Sequence, residues 1–245
     1  MPDTASDSGD AQLELVLRPI RSRNLFEETI GRLSQTIQLG MVEPGDRFPP
    51  ERELAEMLGV SRVVVREALR ALEQTGRIEI RRGRQGGAFV TKPRASPRSD
   101  ASARRIVRQL GQSLNDLFEY RWAIEPAAAS IAAEKAVESD VVHLRQVFEA
   151  STQTTPEGFR AADVRIHLVI AEIAQSTLVA SAVAEVQARF SELFLAIPIL
   201  GESIRHSHDQ HLVVIEAIAA GDRGAAREAM EEHVLASQEL IRALA

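Results

Sequence analysis

The stretch SRVVVREALRALEQTG, residues 61–76, decides the fold of the N-terminal part of the chain. At 100° per residue, one arc of a helix carries four apolar side chains: Val65, Ala68, Leu69 and Leu72. Arg62, Arg66 and Arg70 lie on another arc at intervals of four residues, where like charges repel by about a few tenths of a kcal/mol. The pattern predicts a helix with one buried face and one cationic face, and the cationic face is either solvated or bound to an anionic partner.

The residues on either side of this helix predict a winged helix-turn-helix. Gly59 can end the helix that precedes it, and Ser61 can cap the arginine-rich helix. The alternating and extended segments that follow Gly76 can pair as a hairpin that turns over residues 83–87. The predicted elements are helices at residues 24–39 and 51–58, the arginine-rich helix, and two strands within residues 77–82 and 86–92.

Composition and charge favour a mainly helical protein of two domains. The 245 residues are 44% hydrophobic but only 4% aromatic, and they include no cysteine, which excludes disulfides and thiolate metal sites. The net charge of −6 divides into −4 for residues 1–17, +7 for residues 18–105 and −9 for residues 106–245. The basic block is typical of a domain that faces phosphates, and the acidic block has another role.

The same patterns divide the chain into four segments. We expect a disordered tail at residues 1–17, a winged helix-turn-helix DNA-binding domain at 18–92, a linker rich in Pro, Ser and Arg at 93–105, and an all-helical bundle of six or seven helices at 106–245. The N-terminus carries no basic and apolar signal segment, and no run of 18 apolar residues occurs. We therefore expect a cytoplasmic protein without a membrane span.

In a helix-turn-helix the second helix enters the major groove and its N-terminal residues contact base edges. Arg62 and Arg66 occupy that leading end, and arginine binds guanine O6 and N7 in bidentate fashion. Ser61 is placed to contact a phosphate and Val63 a thymine methyl group. For Arg70 a solvated side chain is an equal alternative. Further candidate DNA contacts are Arg52, Arg84, Gln85 and Gly87.

Residues 44–90, PGDRFPPERELAEMLGVSRVVVREALRALEQTGRIEIRRGRQGGAFV, resemble the DNA-binding domain of GntR-type bacterial transcription regulators. Phe48 and Pro50 depart from the Leu and the Ser or Ala that are usual there, but proline suits a first helical turn. The resemblance implies operator recognition by three arginines and a wing tip at one glycine: Arg52, Arg62, Arg66 and Gly87.

Four side chains in the helical half have the spacing of a metal site. Asp163 and His167 are four residues apart and therefore lie on one face of a helix. His211 and His233 lie on either side of a predicted turn at Gly221, each about 15 to 16 Å from it, so an antiparallel hairpin brings them level. One carboxylate and three imidazoles suit a divalent ion such as Zn²⁺ or Ni²⁺, with open positions for a further ligand.

Residues 108–242 resemble the effector-binding FCD domain of the FadR subfamily, through LFEYRWAIEPAAASIAAEKA, DVRIHLVIAEIAQSTLV and HLVVIEAIAAGDRGAAREAMEEHV. The resemblance implies that the Asp and three His above bind a metal. It also matches Arg121 with an arginine that could bind an anionic effector. The alternative for Arg121 is an ion pair with Glu125, four residues on. Residues 175–177 stand where the family often has Ser-Gly-Asn, which leaves the identity of the ligand open.

Together these features predict a ligand-responsive repressor that binds a palindromic operator as a homodimer. A small carboxylate is the expected effector, because an open metal position and an arginine both bind carboxylate. Two alternatives remain: a metal that only stabilises the bundle, and a metalloenzyme tethered to DNA. The enzyme is disfavoured because the spacing turns Glu172 away from His167, so no general base lies beside the metal.

Overall fold

The computed structural model describes residues 25–83, 85–91, 112–156, 158–194 and 201–242. The predicted tail, the predicted linker and Arg84 lie outside these residues. The described part forms nine helices and a two-stranded sheet: α1 (Leu25–Gln38), α2 (Glu51–Leu58), α3 (Arg62–Gln74), β1 (Ile78–Arg81), β2 (Gly87–Val90), α4 (Gln112–Lys135), α5 (Glu138–Thr152), α6 (Phe159–Ile173), α7 (Thr177–Phe194), α8 (Gly201–Ala219) and α9 (Arg223–Arg242). The predicted mainly helical class, a winged helix-turn-helix followed by a helical domain, is confirmed.

Helix α3 forms the centre of the N-terminal core. Its four predicted core residues are all buried and pack with Leu33, Phe48, Leu54 and Ile78 from the surrounding elements. The Ser61 hydroxyl caps the helix by accepting a hydrogen bond of 3.3 Å from the Val64 amide. The opposite, arginine-bearing face of α3 is exposed, so burial and charge are separated as the sequence predicts.

The wing is an antiparallel hairpin of β1 and β2, and the segment before α2 pairs with its β2 strand. Ile78 pairs with Val90 and Arg81 with Gly87, while an isolated bridge joins Arg47 to Phe89. Gly87 has φ +146°, and a Cβ at this position would lie 2.6 Å from the Arg47 Cδ atom. Glycine suits this positive φ, and its lack of a Cβ leaves room for the Arg47 side chain to cross the start of β2.

The six C-terminal helices enclose a separate apolar core. Helix α4 packs along α9, α7 and α6, and its small residues allow close contact. The sequence predicts two helices near residues 106–118 and 117–135, whereas the structure has one continuous helix from Gln112 to Lys135 with Pro126 inside it. Residues 106–111 lie outside the described part. Among the described helices, none combines the length and the apolar character that a membrane span requires.

The end of α1 lies directly against the helical domain. Leu39 is buried and packs with Val164 of α6. Gly40 follows with φ +66°, and a Cβ added to it would lie 2.6 Å from the Cβ of Ala161, also on α6. The DNA-binding part and α6 therefore meet at a contact that is close enough to require a glycine.

Candidate functional site

Helices α6, α8 and α9 bring together the four side chains that the sequence predicts as metal ligands. Asp163, His167, His211 and His233 each offer one ligand atom, and these atoms all lie within 4.8 Å of one another. The rings of His211 and His233 are 4.3 Å apart between centroids, and each is 5.1 Å from the ring of His167. The expectation that the α8–α9 hairpin brings its two histidines level is confirmed.

The cluster contains buried polar atoms that only an additional group would satisfy. His167, His211 and His233 are 2%, 0% and 3% exposed. Within the described part of the chain, His211 Nδ1 and His233 Nε2 have no hydrogen-bond partner. Because an unpaired buried nitrogen is costly, and because neutral imidazole nitrogens are good ligands for divalent metals, the residues fit a metal ion. Asp163, which accepts a hydrogen bond of 3.1 Å from Ser207, supplies the negative charge.

Burial keeps these histidines in the form that binds metals. Burial lowers the pKa of His211 to about 3, although the Asp163 carboxylate opposes the shift. Burial also lowers the pKa of His233 well below its ordinary value, and the neighbouring His211 lowers it further. Both imidazoles are therefore neutral at pH 7, and a cation can bind without displacing a proton from either of them.

A buried carboxylate, Glu125, lies beside the Nδ1 atom of His167. Glu125 Oε2 lies 3.1 Å from His167 Nδ1, at an angle poorer than that of a straight hydrogen bond, while Nε2 of His167 faces His211 at 3.2 Å. Burial alone would raise the pKa of Glu125, but Arg121 and His167 outweigh burial and lower it to about 2. A carboxylate behind a histidine fixes the ring and makes it a stronger ligand.

Arg121 lies in the network that holds this carboxylate. Its Nε donates to Glu125 at 3.0 Å, its NH1 donates to Ser237 at 2.8 Å, and its guanidinium stacks 4.1 Å from the ring centroid of Phe190. Gln187 donates to the second oxygen of Glu125 at 2.6 Å. The ion pair that the sequence offers as the alternative for Arg121 is thus present, and its contact with an effector stays a prediction. Nothing in the sequence pattern points to Gln187.

His208 lies one turn before His211 on α8, beside the cluster. Its ring packs edge-on against Phe148 and Phe159 at centroid distances of 6.0 and 5.4 Å, and burial lowers its pKa. Its Nε2 atom is buried without a hydrogen-bond partner among the described residues. The sequence suggests no role for this aromatic contact, because Phe148 and Phe159 come from two other helices.

The predicted DNA-contacting side chains form an exposed surface at the leading end of α3 and the start of α2: Arg52, Ser61, Arg62, Val63 and Arg66. Val63 is 66% exposed, so its methyl groups are accessible to a partner. Arg66 donates through Nε and NH2 to the Glu51 carboxylate, and this hydrogen bonding lowers the pKa of Glu51. Arg70 pairs with Glu67 at 2.8 Å. Nothing in the sequence pattern points to Glu51, because its pairing with Arg66 depends on how two helices pack.

Comparison with known proteins assigns both parts of the chain. Residues 25–90 match bacterial regulatory proteins of the gntR family, and residues 116–236 match the FCD domain. A Uxu operon regulator of Haemophilus influenzae is 30% identical over 209 residues, which cover 82% of this chain and 76% of the relative. The chain belongs to the gntR family. The predicted resemblance is confirmed for both of its parts.

Other gntR-family relatives agree with this assignment. The HTH-type transcriptional repressor NanR of Salmonella newport is 28% identical over 234 residues, which cover 89% of this chain and 85% of the relative. The solved structure titled E. coli McbR/YncC has a TM-score of 0.53 and 19% identity, and the match covers 90% of this chain and 98% of that one. The last comparison supports the fold alone. This gntR-family protein is a DNA-binding transcription regulator with an FCD effector domain.

Proposed function

We propose that this gntR-family regulator is a metal-containing repressor that binds a palindromic operator as a homodimer and responds to a small carboxylate. One observation carries the proposal. Asp163 and three buried histidines surround a common point inside the FCD domain, and His211 Nδ1 and His233 Nε2 point to no hydrogen-bond partner in the described residues. A metal ion at this site would bind an anion in the same chain that carries the DNA-binding domain.

The DNA-binding role rests on the exposed leading end of α3. Arg62 and Arg66 would contact guanines in the major groove, with Val63 against a thymine methyl group and Ser61 on a phosphate. Arg52 at the start of α2 and Gly87 at the start of β2 would flank this contact. Because one recognition helix covers a half-site, a homodimer would place two such helices about 34 Å apart, one turn of DNA.

The metal site would supply an electrostatic anchor for the effector. Asp163, His167, His211 and His233 would hold Zn²⁺ or Ni²⁺, and an ion with five or six ligands would have positions left for a carboxylate. Arg121 is a candidate second contact for that carboxylate. Its burial and its pairing with Glu125 favour the alternative, in which it holds Glu125 behind His167.

Helix α6 offers a direct route from the metal site to the DNA-binding domain. It carries Asp163 and, on either side of it, Ala161 and Val164, which contact the end of α1. A ligand that shifts α6 would therefore shift α1 and, with it, the DNA-binding domain whose core α1 shares with α3. The effector acts only if it binds the two arrangements with different affinities.

The test uses the full-length protein loaded with Zn²⁺ or Ni²⁺ and an operator selected from a random duplex pool. A panel of small mono- and dicarboxylates is titrated while operator binding is followed by fluorescence anisotropy. We expect one class of acid to release the operator from the metal-loaded protein and to have no effect on the metal-free protein or on His233→Ala. Equal release from the metal-free protein would contradict the proposal. Binding of metal with no response to any acid would favour a metal that only stabilises the bundle, and consumption of an acid would favour an enzyme.

A further inference from the structure

Glu51 at the start of α2 pairs with Arg66 of α3, one of the side chains of the proposed DNA surface. Its carboxylate accepts three hydrogen bonds from Arg66, two from Nε at 3.1 Å and one from NH2 at 2.7 Å. The side chains are 31% and 46% exposed, so the pair lies at the surface and not in the core. A bidentate pair of this kind holds the arginine side chain in one geometry even at the surface.

The hydrogen bonds occupy one edge of the Arg66 guanidinium, and none of the described residues is hydrogen-bonded to the edge formed by NH1. A guanidinium carries five N–H donors in a planar fork. Glu51 uses the edge formed by Nε and NH2. The edge formed by NH1 and the second NH2 hydrogen points away from the carboxylate, and two parallel donors of this kind match guanine O6 and N7.

We infer that Glu51 is a positioning residue for DNA recognition, which holds Arg66 so that its open edge meets a guanine. This inference rests on the proposed DNA-binding role of Arg66. Glu51 fixes a long side chain before DNA binds, so that less conformational freedom is lost in the complex. Its negative charge also repels phosphates, which favours contact of Arg66 with a base over contact with the backbone.

The neighbouring arginines are held differently. Arg70 pairs with Glu67 of its own helix, and Arg52 is 4.0 Å from Glu56 of its own helix with both side chains more than 60% exposed. Neither contact ties α3 to α2. The bridge from Glu51 to Arg66 therefore joins one arginine of α3 to α2, whereas Arg52 and Arg70 pair within their own helices.

The experiment compares base preference, and not affinity alone. Wild-type protein, Glu51→Gln, Glu51→Asp, Arg66→Ala and the Glu51→Gln/Arg66→Ala double variant each select from one random duplex pool at fixed salt, and the bound fractions are sequenced. Glu53→Gln is the matched control, because it removes a charge from the same first turn of α2. Thermal unfolding by circular dichroism verifies that each variant is folded.

We expect wild type to select a guanine in each half-site that Arg66→Ala no longer selects. Glu51→Gln should lower this guanine preference about tenfold, within the range of roughly 5- to 150-fold that one bidentate contact provides. Glu51→Asp, which keeps the charge but shortens the side chain, should lower it as well. The double variant should match Arg66→Ala, because Glu51 acts through that arginine. Glu53→Gln should tighten binding to all duplexes and leave the preference unchanged.

Two results separate this inference from the proposed function. If Glu51→Gln keeps the wild-type guanine preference, or if Glu53→Gln loses it equally, Glu51 does not position Arg66, although the protein remains a sequence-specific regulator. If the wild-type protein selects no sequence at all, the proposed operator recognition fails, and the role of Glu51 fails with it.

Discussion

Replacing Gly40 with alanine tests whether the end of α1 lies against α6 in solution. Gly40 and Gly59 have the same φ of +66°, so an alanine is equally strained at either position. Their surroundings differ. A Cβ at Gly40 would lie 2.6 Å from Ala161 Cβ, whereas a Cβ at Gly59 would meet no atom within 4 Å. Gly59→Ala is therefore a matched control for backbone strain.

The expected change in the free energy of unfolding has two parts, backbone strain at a positive φ and overlap with Ala161. An alanine in the left-handed region costs about 1 to 2 kcal/mol. Carbon atoms in ordinary contact are about 3.5 Å apart. The Cβ of an alanine at position 40 would be closer than this to Ala161 Cβ, and such overpacking costs about 1 to 3 kcal/mol more. We expect Gly59→Ala to lower the free energy of unfolding by about 1 to 2 kcal/mol and Gly40→Ala by about 2 to 5 kcal/mol.

The free energies come from urea unfolding, followed by circular dichroism for the whole chain and by the fluorescence of Trp122, the single tryptophan, for the helical domain. Ala161→Gly removes the atom that Gly40→Ala would strike, so the double variant should recover the overpacking part after correction for Ala161→Gly alone. Equal losses for Gly40→Ala and Gly59→Ala, or no recovery in the double variant, would refute the close approach of α1 to α6.

Three further predictions concern the candidate metal site. In the metal-free protein, His211 and His233 have lowered pKa values, so as the pH falls the unfolded chain binds protons before the folded chain does. The free energy of unfolding should therefore fall as the pH drops below about 6.5, by up to about 1.4 kcal/mol per pH unit for each histidine. Urea titrations between pH 7.5 and 5 with a chelator present measure this, and a free energy that does not change with pH would contradict the prediction. Glu125→Gln should weaken metal binding about 10- to 100-fold in equilibrium dialysis, whereas Glu172→Gln, on the exposed side of α6, should leave it unchanged. His233→Ala should lower both the metal content by elemental analysis and the Tm, and an unchanged stoichiometry would remove this residue from the ligand set.

The N-terminal fold could be predicted in detail because its signals are local. Helix α2 has the predicted bounds, since a Pro-rich loop precedes it and Gly59 ends it in the left-handed conformation. The four buried residues of α3 follow from periodicity alone. Helix α4 could not be predicted as one element, because Pro126 near its middle and its many alanines blur the apolar period.

Part of the candidate site could likewise be predicted from local sequence signals, and part could not. The four metal-ligand candidates could be predicted because each pair depends on one helix or one hairpin, and rise per residue fixes their level. The network behind them could not. The pairing of Arg121 with Glu125 follows from a spacing of four, but the position of Glu125 behind His167 and its contact with Gln187 depend on how α4, α6 and α7 pack. The bridge from Glu51 to Arg66 likewise depends on the angle between α2 and α3.

The close approach of Gly40 to Ala161 also limits how this protein can be re-engineered as a biosensor. A chimera of this kind joins the DNA-binding domain of one regulator to the effector domain of another at the linker. Here the graft would also have to preserve a small residue on α6, and the charge match between Glu43 and Arg165, which are 3.8 Å apart. We expect a hybrid with a bulkier side chain at position 161 to fold in both domains but to hold its DNA-binding domain in a different position. Such a hybrid would bind an effector without a change in DNA binding.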